Sequence, residues 1–153
     1  MKTLDYLGLD AAEAKGTVSE LQQLLADLHV FYMNLRGFHW NIEGNQFFLL
    51  HEQFEELYDA VEEQIDEVAE RILMLGENPE SKFSNYLKIA KVQEAGLVKD
   101  TKGTLTGTLD GIKAIMDQIK KVIEVADQGT ADMVGGYLGG YQKKVWMLVA
   151  FMK

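Results

Sequence analysis

A chain of 153 residues, 47% of them hydrophobic, is long enough to bury one core without cross-links and reads as a single domain over 1–153. It has no cysteine, which excludes disulfides, thiolate metal sites and cysteine nucleophiles and suits a reducing compartment, with the cytoplasm as the default expectation. Twenty-four acidic residues against fifteen basic ones give a net charge of −9, a balance that repels nucleic acid and concentrates cations, or in a plainer reading maintains solubility.

The first ten residues, MKTLDYLGLD, lack the charged-then-apolar order of a signal peptide. The longest apolar stretch near either end, Trp146 to Met152, is too short to span a bilayer. Val18, Leu21, Leu25, Leu28, Tyr32 and Leu35 repeat at three and four residues and predict a long helix; the next position of that stripe is His39. A histidine thus continues a buried face. Asn41 to Asn45, with Gly44 inside, predicts a stop and restart, because glycine tolerates the left-handed conformation that ends helices and asparagine caps the next one. The first two long helices should be antiparallel neighbours.

Phe47, Leu50, Phe54, Leu57, Val61, Val68, Ile72 and Leu75 mark the core side of a second helix over 46–75, ending near Gly76 with Pro79 beyond. Residues 77–104 read as a crossover with a short amphipathic helix around Phe83, Tyr86, Leu87 and Ile89. Leu105, Leu109, Ile112, Met116, Ile119 and Ile123 predict a third long helix, and Val134, Leu138, Tyr141, Val145, Leu148 and Met152 a fourth. Four long helices with one long middle connection describe an all-α, ferritin-like four-helix bundle. Gly135, Gly136, Gly139 and Gly140 lie inside the fourth helix, where each costs about 1 kcal/mol relative to alanine. Either they permit close approach at a subunit contact, or they leave the helix dependent on an assembly to hold it.

Ferritin-like di-iron bundles usually build their site within one chain from Glu-x-x-His, and no histidine here has Glu three residues before it. Instead, antiparallel packing brings His39, near the end of the first helix, and His51, early in the second, to a similar depth. Glu55 lies one turn along from His51. Asp66 and Glu70, again one turn apart, share the same edge but sit fifteen residues further on, about 22 Å at 1.5 Å per residue. A first-row metal needs such ligands at about 2.0 to 2.2 Å. The far pair must therefore come from another copy of the chain, which points to a metal site at a twofold interface. Imidazole and carboxylate without sulfur favour iron, manganese or zinc over copper(I), and the carboxylate majority favours iron. Two plainer readings stand beside this one: the stripe Glu55, Asp59, Glu62, Asp66 and Glu70 as a solvated helix face, and the histidines as hydrogen-bonded core residues.

Residues 34–75, NLRGFHWNIEGNQFFLLHEQFEELYDAVEEQIDEVAERILML, closely resemble the signature of the Dps family, the DNA-protecting mini-ferritins of starved bacterial cells. HVFYMN at 29–34, the crossover helix near Tyr86, GTADM at 129–133 and the tail KKVWMLVAFM extend the likeness over nearly the whole chain. The resemblance implies twelve identical chains in a hollow shell, with iron bound between twofold-related subunits. Ferrous iron would be oxidised there, preferably by hydrogen peroxide, and stored inside as ferric mineral, protecting the cell from oxidative damage.

Position by position, His39, His51, Asp66 and Glu70 match family ligands in type and spacing, while Glu55 stands where the family usually has aspartate. Its extra methylene changes the reach of that carboxylate. Trp40 matches an aromatic position thought to absorb stray oxidising equivalents, or is an interface aromatic. Glu124, Asp127 and Asp132 lie around the last turn, where the family places acidic pores on threefold axes that would draw ferrous ions inward. His29 falls off the ligand edge and reads as structural. Members that coat DNA commonly use a lysine-rich terminal arm; the first ten residues here hold one lysine and the sequence stops at Lys153 directly after the last helix, so DNA binding is not expected. Three functions remain in play: a ferroxidase, a structural or divalent-ion-buffering dodecamer whose oxidation centre Glu55 impairs, and an unrelated acidic four-helix adaptor.

Overall fold

The computed structural model describes residues 2–153, which form α1 (Thr3–Leu7), α2 (Ala11–Asn41), α3 (Phe47–Met74), α4 (Phe83–Ile89), α5 (Thr101–Val125) and α6 (Gln128–Phe151). Three of the long helices begin at an aspartate whose carboxylate accepts from free amides of the first turn. Asp10 caps Ala12 and Glu13, Asp100 caps Gly103, and Asp127 caps Thr130. The start of α3 departs from expectation: its cap, Gln46, makes no side-chain bond, and no asparagine serves there. Asn41 instead closes α2 by donating to the Gly37 carbonyl, while Gly44, at φ 106°, reverses the chain. The five-residue α1 was not foreseen, because so short a segment shows no period; its Leu4 packs against the core beside Gly76.

Cross-helix contacts fix the topology. Tyr32 meets Tyr58 and Phe38 meets Phe54, so α2 and α3 run antiparallel. Gln118 bonds to Glu20 and Thr17 to the Val125 carbonyl, so α5 is antiparallel to α2. Tyr137 donates to Glu67 and Tyr141 to Gln64, so α6 is antiparallel to α3. The segment from α3 to α5 must therefore travel the length of the bundle, which is the ferritin-like arrangement.

Polar residues of α2 fasten that crossover. Asp27 is fully buried, and its Oδ1 accepts from the backbone N–H of Lys91 at 2.6 Å and of Val92 at 3.0 Å. Gln22, Gln23 and Asn34 donate to the carbonyls of Asn78, Ile89 and Gln93. Among the described residues no buried side-chain nitrogen or oxygen lacks a partner, as a folded interior requires.

The predicted core residues of α3 are buried, with Phe47 only partly so. The face of α5 is broader than its apolar stripe suggests. Thr104, Thr108, Gly111, Ile115, Gln118 and Val122 join Leu105, Ile112 and Ile119 inside, whereas Ile123 is exposed and Leu109 and Met116 are half-buried. The cause is the bulk of α2: a Cβ at Gly111 would lie 2.5 Å from the Phe31 ring, and one at Gly107 2.9 Å from Phe38. Glycine lets the two helices close over both rings. Around Gly135, Gly136, Gly139 and Gly140, by contrast, nothing beyond the helix's own backbone and the adjoining residues comes within 4 Å of an added Cβ. Among the described residues no helix is long and apolar enough to cross a membrane.

Candidate metal centre

The apolar stripe of α2 carries His39 into the bundle, where it is buried, and the start of α3 sets half-buried His51 beside it. The two imidazoles stack with centroids 3.7 Å apart and planes 17° from parallel. Each is tied to the other's backbone: His39 Nδ1 lies 2.7 Å from the His51 carbonyl, and His51 Nδ1 lies 2.8 Å from the His39 carbonyl. A carbonyl oxygen only accepts, so both Nδ1 atoms carry the proton. In the neutral rings each Nε2 then presents a lone pair, the tautomer a metal-ligating histidine adopts when its other nitrogen is bonded to a carbonyl. Phe47 stacks on His51 at 5.0 Å, and Tyr58 meets His39 edge-on at 5.3 Å.

Glu55, Asp66 and Glu70 are exposed along the same edge of α3. Because α3 is unbroken over Phe47–Met74, the fifteen residues separating the two pairs do correspond to about 22 Å. Among the described residues no three histidine or carboxylate side chains converge on a point within one chain. A single chain thus brings together the two imidazoles, with Glu55 one turn away, and leaves Asp66 and Glu70 at a distance. Sequence reasoning missed Tyr58, whose hydroxyl lies 3.5 Å from Glu55 Oε1. Partial burial, with Glu55 and Asp59 nearby, pushes its phenol up, so it is a donor at neutral pH.

The three acids at the last turn have different surroundings. Glu124 and Asp132 are exposed, Asp132 accepting from the Gln128 amide. Asp127 is half-buried and paired with Arg71 of α3 at 2.8 Å, while Thr130 donates its hydroxyl at 2.6 Å and Arg71 Nε donates to that hydroxyl. Burial pushes the Asp127 carboxyl up, but the bonds from Thr130 and the charge of Arg71 outweigh it and hold it below the usual aspartate range. A carboxyl depressed in the folded state stabilises fully above its unfolded value of about 4 and loses that contribution as pH falls through its folded one. Asp127→Asn is expected to lower unfolding free energy by about 1–2 kcal/mol at neutral pH. Denaturant titrations at matched protein concentration should show this difference shrinking below about pH 4. A gap that is the same at every pH would contradict the assignment.

Trp40 is 53% exposed, with the Arg36 guanidinium 4.7 Å above its ring. A cation there opposes removal of an electron from the indole. His29 stacks on Tyr86 of α4 at 4.2 Å, and burial pulls its pKa down. Its packing is onto the crossover helix.

The Ferritin-like domain pattern matches residues 18–153. A "DNA protection during starvation protein" from Porphyromonas gingivalis is 47% identical over 154 residues, covering 98% of this chain and 97% of its own length. Among solved structures, a Dps protein from Vibrio cholerae O1, described as a member of a broad superfamily of ferritin-like diiron-carboxylate proteins, superposes with a TM-score of 0.93. It is 41% identical and covers 95% of this chain and 94% of its own. A Dps protein from Bacillus brevis does so with a TM-score of 0.90 at 32% identity, covering 95% of this chain and all of its own. With its bundle, its crossover helix and these likenesses along the whole length, the chain belongs to the Dps family of ferritin-like proteins.

Proposed function

We propose that this protein stores and detoxifies iron: it oxidises ferrous ions, preferably with hydrogen peroxide, at a site shared by two subunits and keeps the product as ferric mineral inside a hollow dodecamer. The observation that carries the reading is the histidine pair, both Nδ1 atoms occupied by carbonyls and both Nε2 atoms available. His39, His51 and Glu55 supply one half of the ligand set and Asp66 and Glu70 of a twofold-related copy the other. The stripe on α3 suits that symmetry. The midpoint of the four α3 positions falls between Ala60 and Val61, so a second α3 crossing antiparallel there would bring each far pair to the opposite near pair. Next to this crossing, Tyr32, Met33, Ile65, Phe83 and Leu87 line an apolar groove of about 490 Å³, a surface that a second copy would cover.

Iron is the substrate here. Two ferrous ions each give one electron to one peroxide, whose O–O bond breaks and takes up two protons to leave two waters. Two irons held together, or one beside a transient second, deliver both electrons before hydroxyl radical is released. The chain contributes ligand geometry and a confined path. Glu124, Asp127 and Asp132 form the acidic pore of this proposal, with most of the attraction from Glu124 and Asp132 because Arg71 already offsets Asp127. Trp40 takes up stray oxidising equivalents against the opposing charge of Arg36.

The assembled protein, given ferrous iron and peroxide with a spin trap, should yield far less radical adduct than a protein-free control, and His39→Ala should slow iron oxidation by about 10-fold or more. Unchanged oxidation in His39→Ala would favour the divalent-ion-buffering or structural dodecamer. At a net charge of −9 per chain the shell would repel phosphate, so no retardation of duplex DNA is expected at neutral pH and physiological salt, and a clear shift would refute this.

A further inference from the structure

We infer that Tyr58 is the positioning residue of the candidate site, holding Glu55 and His39 in register with each other; the inference rests on the metal site proposed above. Tyr58 touches both parts of the half-site that α2 and α3 build. Its ring meets His39 edge-on at 5.3 Å and 90°, and its hydroxyl lies 3.5 Å from Glu55 Oε1. A second contact restrains the ring, which packs at 84° on Tyr32 with centroids 5.9 Å apart, Arg36 lying over Tyr32 in turn. A phenol so clamped delivers its O–H to one place.

Glu55 needs such a guide. It is exposed at the helix surface, and a glutamate there has several rotamers of similar energy, of which a metal beside His39 and His51 can use only some. Glu55 and Tyr58 are three residues apart on α3, the spacing at which helical side chains meet. The hydroxyl engages Oε1 and leaves Oε2 for the ion. At 3.5 Å the contact is long for an O–H···O bond, as such bonds often are in an unloaded site, and the proposal requires it to shorten when an ion is bound. His51 is steadied by backbone carbonyl and Phe47, so within the half-site Tyr58 is the side chain that links a carboxylate to an imidazole.

The test is a double-mutant cycle on the assembled full-length protein, titrated anaerobically with cobalt(II) and read by its visible absorption. Wild type should give a band that His39→Ala removes. Tyr58→Phe, which keeps the ring and loses the hydroxyl, should weaken binding by about 10-fold. In a Glu55→Asp background, where the shorter side chain no longer reaches the hydroxyl, the same change should alter affinity by less than about twofold. 4-Fluorophenylalanine at position 58 should reproduce the loss and p-aminophenylalanine, which restores a donor, should reverse it; these serve equally if Tyr58→Phe does not assemble. Wild-type affinity without the hydroxyl, or an equal loss in both backgrounds, would overturn the role of Tyr58 while leaving the metal site intact. A wild-type titration with no His39-dependent band would overturn the site itself, and the inference with it.

Discussion

Shells assembled from equal parts of His39→Ala and Asp66→Ala chains should oxidise iron faster than either variant does alone. The expectation follows from the length of α3, which keeps His51 and Glu55 about 22 Å from Asp66 and Glu70 in the same chain. If each pocket takes its imidazoles from one subunit and its far carboxylates from the twofold mate, a mixed pair contains one pocket with both substitutions and one with neither. Random pairing makes half of the pairs mixed, so about a quarter of all pockets would be intact under an isologous twofold. Unfolding the two variants together, refolding, and measuring the initial rate of peroxide-driven oxidation gives the comparison; the separately refolded variants are the baseline. Were every pocket built within one chain, mixing would leave each pocket damaged and the rate would stay at that baseline. This experiment is insensitive to small losses of stability, because both variants enter the mixture with the defects they have alone.

Asp27→Ala should be the most damaging single change to folding. The side chain is fully buried, and its carboxylate is what the amides of Lys91 and Val92 bond to. Removing it strands two backbone donors next to a fully buried position, and each buried donor without a partner costs about 1–3 kcal/mol. A total of about 3 kcal/mol corresponds to a fall of roughly 6–12 °C in melting temperature for a chain of this size. Circular dichroism melts at matched protein concentration would measure it, since assembly itself contributes to apparent stability. Asp27→Asn can keep the one oxygen that takes both amides and should lose less than Asp27→Ala. A melting point within a degree or two of wild type for Asp27→Ala would show that the crossover is anchored elsewhere.

Much of the bundle was legible because its four long helices carry apolar residues at helical spacing over three or more turns each. The same stripe that places Leu28 and Leu35 inside places His39 there, so a burial that is unusual for a histidine was visible before any coordinates. The edge of α3 was readable for a similar reason, as its spacing depends only on the helix being continuous. What stayed hidden were partners far apart in sequence. Asp27 meets the chain 64 and 65 positions later, and Arg71 meets Asp127 56 positions later, and no local period encodes such pairings. The third long helix was misjudged along part of its face because its inward threonines and Gly111 are not apolar markers; the glycines at 107 and 111 reflect the volume of Phe38 and Phe31 opposite. Tyr58 escaped notice because an aromatic residue on a helix says nothing by itself about which carboxylate its hydroxyl addresses.

The mutual clasp between the two imidazoles and the two carbonyls also joins the last turn of α2 to the second turn of α3. It does so with two hydrogen bonds and the stacking of the rings, so on the proposed function the donors would stand in place before an ion arrives and after it leaves. In small zinc domains, by contrast, the ion supplies the folding energy and chelation unravels the chain. On the function proposed above, such a vessel would be filled, drained and refilled while its walls keep their form.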